Sequence, residues 1–90
     1  MSLSFDDITL NTSTLQGKLK IADIGIAYKS EKVLTIPVED LSFAYWYRAD
    51  DSFTLTFATK NTTTMNRFYP FSQEDFTRIR NFIDQTYKFQ

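Results

Sequence analysis

A chain of 90 residues with 42% hydrophobic side chains has room for one core, since a domain of this size buries only a little over ~60% of its unfolded surface. Ten basic side chains stand against eleven acidic ones, so the formal net charge is −1, no long-range field draws in polyanions, and bulk nucleic-acid binding is disfavoured. Cysteine and histidine are absent, which excludes disulfides, thiolate metal sites and a cysteine nucleophile and fits an intracellular protein.

The opening Met1-Ser2-Leu3-Ser4-Phe5-Asp6-Asp7 lacks a basic stretch followed by a long apolar run, and no segment approaches the ~18 apolar residues of a membrane span, so the chain reads as soluble. Phe5, Ile8 and Leu10 suggest a first strand. Asn11-Thr12-Ser13, like Asn61-Thr62-Thr63 further on, is a glycosylation-type triplet more simply read as a polar turn. Leu19 and Ile21 then alternate with Lys18 and Lys20, the period of a half-buried strand. After a tight corner at Asp23 the alternation restarts as Ile24, Ile26 and Tyr28, and it continues as Leu34, Ile36 and Val38. Pro37 has no N–H to give a ladder, so this strand lies at an edge or ends near Val38.

From Leu41 the bulky positions run Leu41, Phe43, Tyr45, Tyr47, turn at Ala49-Asp50-Asp51, and resume as Phe53, Leu55 and Phe57, a β-hairpin with Thr54, Thr56 and Thr59 on its outer positions. Lys60-Asn61 makes the next turn, and Thr63 to Tyr69 reads as a further strand. The period then changes. Phe76, Ile79, Phe82, Ile83 and Tyr87 recur on one helical face, with Ser72 as N-cap, Asp75 three residues on as in a capping box, and Phe71 placed to staple against Phe76. The reading is a mainly β domain over residues 1–90: about seven antiparallel strands over about 4–70 closing into a barrel, plugged by one C-terminal α-helix over about 73–87.

This order matches the pleckstrin-homology (PH) architecture, and the residues carry a closer resemblance. Phe5-Asp6-Asp7-Ile8 followed by Gly17-Lys18-Leu19-Lys20-Ile21-Ala22-Asp23-Ile24-Gly25-Ile26 resembles the N-terminal PH-like domain of the small subunit of the histone chaperone FACT. Leu41-Ser42, Trp46-Tyr47-Arg48, Thr59-Lys60-Asn61 and Phe71-Ser72-Gln73-Glu74-Asp75-Phe76 follow in the same order, so the similarity covers nearly the whole chain. It implies a heterodimerisation domain that pairs with a PH-like dimerisation domain of the large FACT subunit, in the nucleus, on chromatin. For some members it implies a connection to the replication machinery. It implies no cofactor, and no direct nucleic-acid or membrane binding by this domain. Two loops depart from the family pattern: Ser30-Glu31-Lys32 is shorter than the insertion many relatives carry, and Ala49-Asp50-Asp51 lacks glycine.

For the partner interface, Trp46 and Arg48 share a strand face with Ser42 and Ala44, opposite Phe43, Tyr45 and Tyr47. If the bulky face lines the core, Trp46 points outward beside an arginine, a composition favoured at interface centres. The competing placement puts Trp46 under the C-terminal helix or across a barrel end. Phe68 and Tyr69 form a second candidate patch, because both strand faces carry a ring and only one can look inward; Tyr87 and Phe89 are placed to cover the other. Pairing along a sheet edge is a further way to build the same heterodimer, with backbone groups carrying the affinity.

Lys18, Lys20 and Lys29 raise the alternative of phosphoinositide capture, against which stands the neutral loop Asn11-Thr12-Ser13-Thr14. The acidic pairs Asp6-Asp7, Glu39-Asp40 and Asp50-Asp51 fall at turns and strand ends, and with no histidine, cysteine or glycine-rich phosphate loop beside them no catalytic or metal site is expected.

Overall fold

A computed structural model describes residues 2–62 and 64–89. Seven strands form one antiparallel sheet: β1 (Ser2–Leu10), β2 (Gln16–Ala22), β3 (Gly25–Lys29), β4 (Val33–Pro37), β5 (Leu41–Ala49), β6 (Ser52–Thr59) and β7 (Met65–Phe71). A 3₁₀ turn, Val38–Asp40, joins β4 to β5, and α1 (Gln73–Phe82) runs on into a π-helical turn, Ile83–Tyr87. The spatial order is β4-β3-β2-β1-β7-β6-β5, with β1 bridging the two halves through Thr9↔Tyr69 and Leu10↔Phe68. This is the seven-strand, one-helix plan of a PH-like fold. The expected ladder closure is absent among the described residues: β4 and β5 are both edges and do not pair with each other. The expected start of the last strand at Thr63 lies outside the described residues.

Leu19, Ile21, Ile26, Tyr28, Ile36, Leu55, Phe57, Phe68 and Phe71 fill the space between the curled halves of the sheet. Each full burial of such a side chain stabilises by about 1.5–3 kcal/mol. Phe5 and Ile8, three apart, both reach this core because a bulge between them inserts an extra residue into β1. Asp7 takes the left-handed conformation there (φ 59°), one that Asp tolerates better than most residues. The β2–β3 corner needs Gly25: its φ is +145°, and an added Cβ would lie 2.2 Å from the Ile36 carbonyl oxygen. Ile24 sits in that corner at 78% exposure and not in the strand alternation, because two residues are spent on the turn.

The helix begins where the capping box places it. Ser72 Oγ accepts from the Asp75 N–H at 3.1 Å and Asp75 Oδ2 accepts from the Ser72 N–H at 3.4 Å, satisfying donors that α1 would otherwise leave free. Its apolar stripe of Ile79, Phe82, Ile83 and Tyr87 is buried against the sheet. Tyr87 locks the far end: its hydroxyl donates to the Ala22 carbonyl at 2.6 Å, with the Gly25 carbonyl a longer second acceptor at 3.2 Å. Burial pushes this phenol well above its ordinary pKa, and the nearby Asp23 carboxylate adds to the shift.

β5 departs from the expected facing. Its pairing with β6 runs Leu41↔Thr59 and then Phe43↔Ala58, so one residue of β5 is spent in a bulge at Ser42. A one-residue slip sends every later side chain to the opposite face. Leu41 is buried, whereas Phe43, Tyr45 and Tyr47 are 44%, 44% and 65% exposed. Thr59, expected outward, shares the inner side with Leu41, and its Oγ1 is buried with no hydrogen-bond partner among the described residues.

Candidate protein interface

The bulge at Ser42 places Ala44, Trp46 and Arg48 on the inner side of β5. Trp46 therefore does not point outward. It is half-buried and wedged beneath α1, edge-on to Phe76 at 4.7 Å, Phe71 at 5.9 Å and Phe53 at 6.3 Å between ring centroids. Phe76 in turn lies flat on Phe53 at 4.5 Å. Arg48 occupies the exposed rim of this aromatic cluster, with its guanidinium 5.8 Å from the Phe53 ring and its Nε donating to the Asp50 carbonyl at 3.3 Å.

The other predicted pair divides. Phe68, paired with Leu55 on the inner side, is 0% exposed and cannot meet another protein's surface without unfolding. Tyr69 faces out, half-buried, with its hydroxyl donating to the Asn11 carbonyl and the Arg67 guanidinium 5.5 Å from its ring. Tyr87, expected to cover one of these rings with Phe89, instead packs between Phe82 and Phe89, each 5.6 Å away between ring centroids.

What the bulge exposes is a row of rings. Phe43 and Tyr45 stack at 5.8 Å with an interplanar angle of 27°, and Tyr47 continues the row. Across β6 the register sets Phe43, Ala58 and Met65 in one line and Tyr45, Thr56 and Arg67 in the next. Met65 is 44% exposed, while Ala58 and Thr56 are buried under the flanking side chains. The outer face of β5–β6–β7 thus presents Phe43, Tyr45, Tyr47 and Met65 around a floor of small residues, bordered by Arg67 and Tyr69. Tyrosine and methionine are enriched in protein interfaces, which makes this exposed row the candidate interaction surface. The sequence held a signal for it: two tyrosines in one alternating row supply rings that accept water at one end.

A comparison with family models matches residues 3–90 to the POB3-like N-terminal PH domain. The chain belongs to this family. The FACT complex subunit POB3 of Saccharomyces cerevisiae is 31% identical over 101 aligned positions, covering 100% of this chain and 18% of the relative. The FACT complex subunit pob3 of Schizosaccharomyces pombe is 30% identical over 89 positions, covering 96% of this chain and 17% of the relative. The chain therefore spans less than a fifth of the length of these curated relatives. Among solved structures, a chain from "Structure of the Spt16D Pob3N heterodimer" superposes with a TM-score of 0.88 at 25% identity, covering all of this chain and 52% of that one.

In this POB3-like domain the lysines do not converge on the loop between β1 and β2. Lys18 and Lys29 are cross-strand partners that share a recess with Asp6 and Asp7, and Lys18 lies 3.8 Å from Asp6, both highly exposed. The recess beside that loop, about 560 Å³, is lined by Asn11, Thr12, Ser13, Thr14, Glu31 and Lys32 among others, so its one acid and one base cancel. An anionic headgroup finds no cationic cradle there. The acidic pairs sit at the β1 bulge, the 3₁₀ turn and the β5–β6 turn, where Asp50, like Asp7, takes positive φ (54°).

Proposed function

We propose that this domain is the heterodimerisation module of a FACT-type histone chaperone small subunit, docking the PH-like dimerisation domain of the large subunit, and that it acts in the nucleus on chromatin. The domain's role is binding and not catalysis. The observation that carries this reading is the outward row Phe43, Tyr45, Tyr47 and Met65, exposed on a domain whose fold is shared over its full length by a chain solved in a heterodimer with Spt16D. Tyr45 is the central anchor, and Tyr69 and Arg67 form the polar rim. Arg48 contributes at most from the edge, since it stands on the helix side of β5.

Light scattering on a mixture with the large subunit's dimerisation domain tests this. A 1:1 complex is expected, with Tyr45→Ala raising Kd at least ~30-fold, the effect of losing an anchor worth ~2 kcal/mol. Absence of a stable complex at micromolar concentration rejects the reading.

A further inference from the structure

The two edges of the sheet are built differently. β4 is guarded: it has five residues, ends in Pro37, which has no N–H to offer, and is folded off at once by the 3₁₀ turn, where the Val38 N–H donates to the Ile24 carbonyl at 2.8 Å. β5 is unguarded. It has nine residues, pairs among the described residues only with β6, and contains neither proline nor lysine, its single charge being Arg48 near its end. Its one bulge lies near its start, leaving Phe43–Ala49 in unbroken register with Ala58–Ser52. An edge strand bonded on one side carries unpaired N–H and C=O groups on the other, and natural sheets usually blunt such an edge with charge, proline or brevity.

We infer that β5 takes up a strand of its partner, so that the sheet continues across the heterodimer and the row Phe43, Tyr45 and Tyr47 is covered by side chains flanking the added strand. This rests on the heterodimer reading above and names the mode of docking. The occupant follows from the chemistry of the edge. Backbone groups repeating at strand spacing are satisfied in register by another extended strand, whereas a docking helix leaves them unpaired. From Leu41 to Tyr47 the edge carries no Asp, Glu, Lys or Arg, so it selects a neutral, apolar strand and offers nothing to a polyanion. The occupant is a strand of the large subunit's dimerisation domain and not a second copy of this chain, in keeping with the heterodimer in which the like-folded chain was solved.

Hydrogen exchange read by mass spectrometry, on the free domain and on its complex with the large subunit's dimerisation domain, tests the inference. The expected result is at least ten-fold slower exchange across Phe43–Ala49 in the complex, with Val33–Pro37 unchanged. Tyr45→Lys, which adds the kind of charge guarded edges carry, is expected to weaken the complex at least ten-fold while the free domain keeps its circular dichroism spectrum. A complex of the right mass with unaltered exchange in β5, or with slowing in β4 instead, overturns strand addition and leaves the heterodimer reading standing. Failure to form any complex removes both. A free domain of doubled mass with β5 already slowed assigns the edge to a second copy and overturns the inference.

Discussion

Replacing Trp46 with alanine separates a packing role from a docking role, because the two make opposite demands on the same variant. Trp46 is half-buried and meets three rings edge-on at 4.7, 5.9 and 6.3 Å. A tryptophan burying roughly 100 Å² of apolar surface is worth about 2.5 kcal/mol at ~25 cal/mol per Å², and its edge-to-face contacts add about 0.5 kcal/mol or more. Truncation is therefore expected to destabilise the domain by about 3 kcal/mol, within the ~2–5 kcal/mol range of large-to-small core substitutions. With a urea m-value of about 1.5 kcal/mol/M, the unfolding midpoint falls by about 2 M. A domain with stability in the ordinary ~5–15 kcal/mol range stays folded, so affinity for the large subunit's dimerisation domain is measurable on the same sample and is expected to change by less than ~1 kcal/mol. The refuting result is the reverse pattern: a midpoint within about 0.5 M of the parent together with an affinity loss above ~2 kcal/mol would make Trp46 an interface anchor.

Two further outcomes follow from the fold. The Tyr87 hydroxyl has its folded-state pKa raised by burial, so it contributes stability that is fully present below its unfolded value near 10 and is lost as pH rises through the folded value. Stability measured by denaturation is expected to fall by up to about 1.4 kcal/mol per pH unit above about pH 10, a slope that Tyr87→Phe removes while costing roughly 1 kcal/mol at neutral pH through the lost bond to Ala22. Gly25→Ala combines a positive φ with a Cβ placed 2.2 Å from the Ile36 carbonyl oxygen, and thermal melting is expected to show a loss of more than ~2 kcal/mol.

Much of the fold was legible in the chain. The helix announced itself by a change of period and by Ser72 and Asp75 at capping spacing, and its hydrogen bonds form there. Pro37 marked an edge strand and ends one. Adjacent Phe68 and Tyr69 declared that one ring must face out, and the pairing of Phe68 with Leu55 decides which. The candidate interface was not legible in the same way. Alternation of period two identifies a strand but treats its faces alike, and β5 carries rings on both: Phe43, Tyr45 and Tyr47 on one, Trp46 on the other. The expectation that the longer row lined the core rested on carrying Leu41's facing forward unchanged, and the bulge at Ser42 reverses it.

The sequence by itself determined the element order, the capped helix, a tight corner after Asp23 and the family resemblance, because each is written in local chemistry: a break in alternation, a missing N–H, a side chain reaching its own backbone. Only the tertiary structure decided which face of β5 looks outward and which edge stays open. Those depend on how β5 registers against β6 and on what α1 brings down onto Trp46, contacts between residues far apart in the chain that no local pattern encodes.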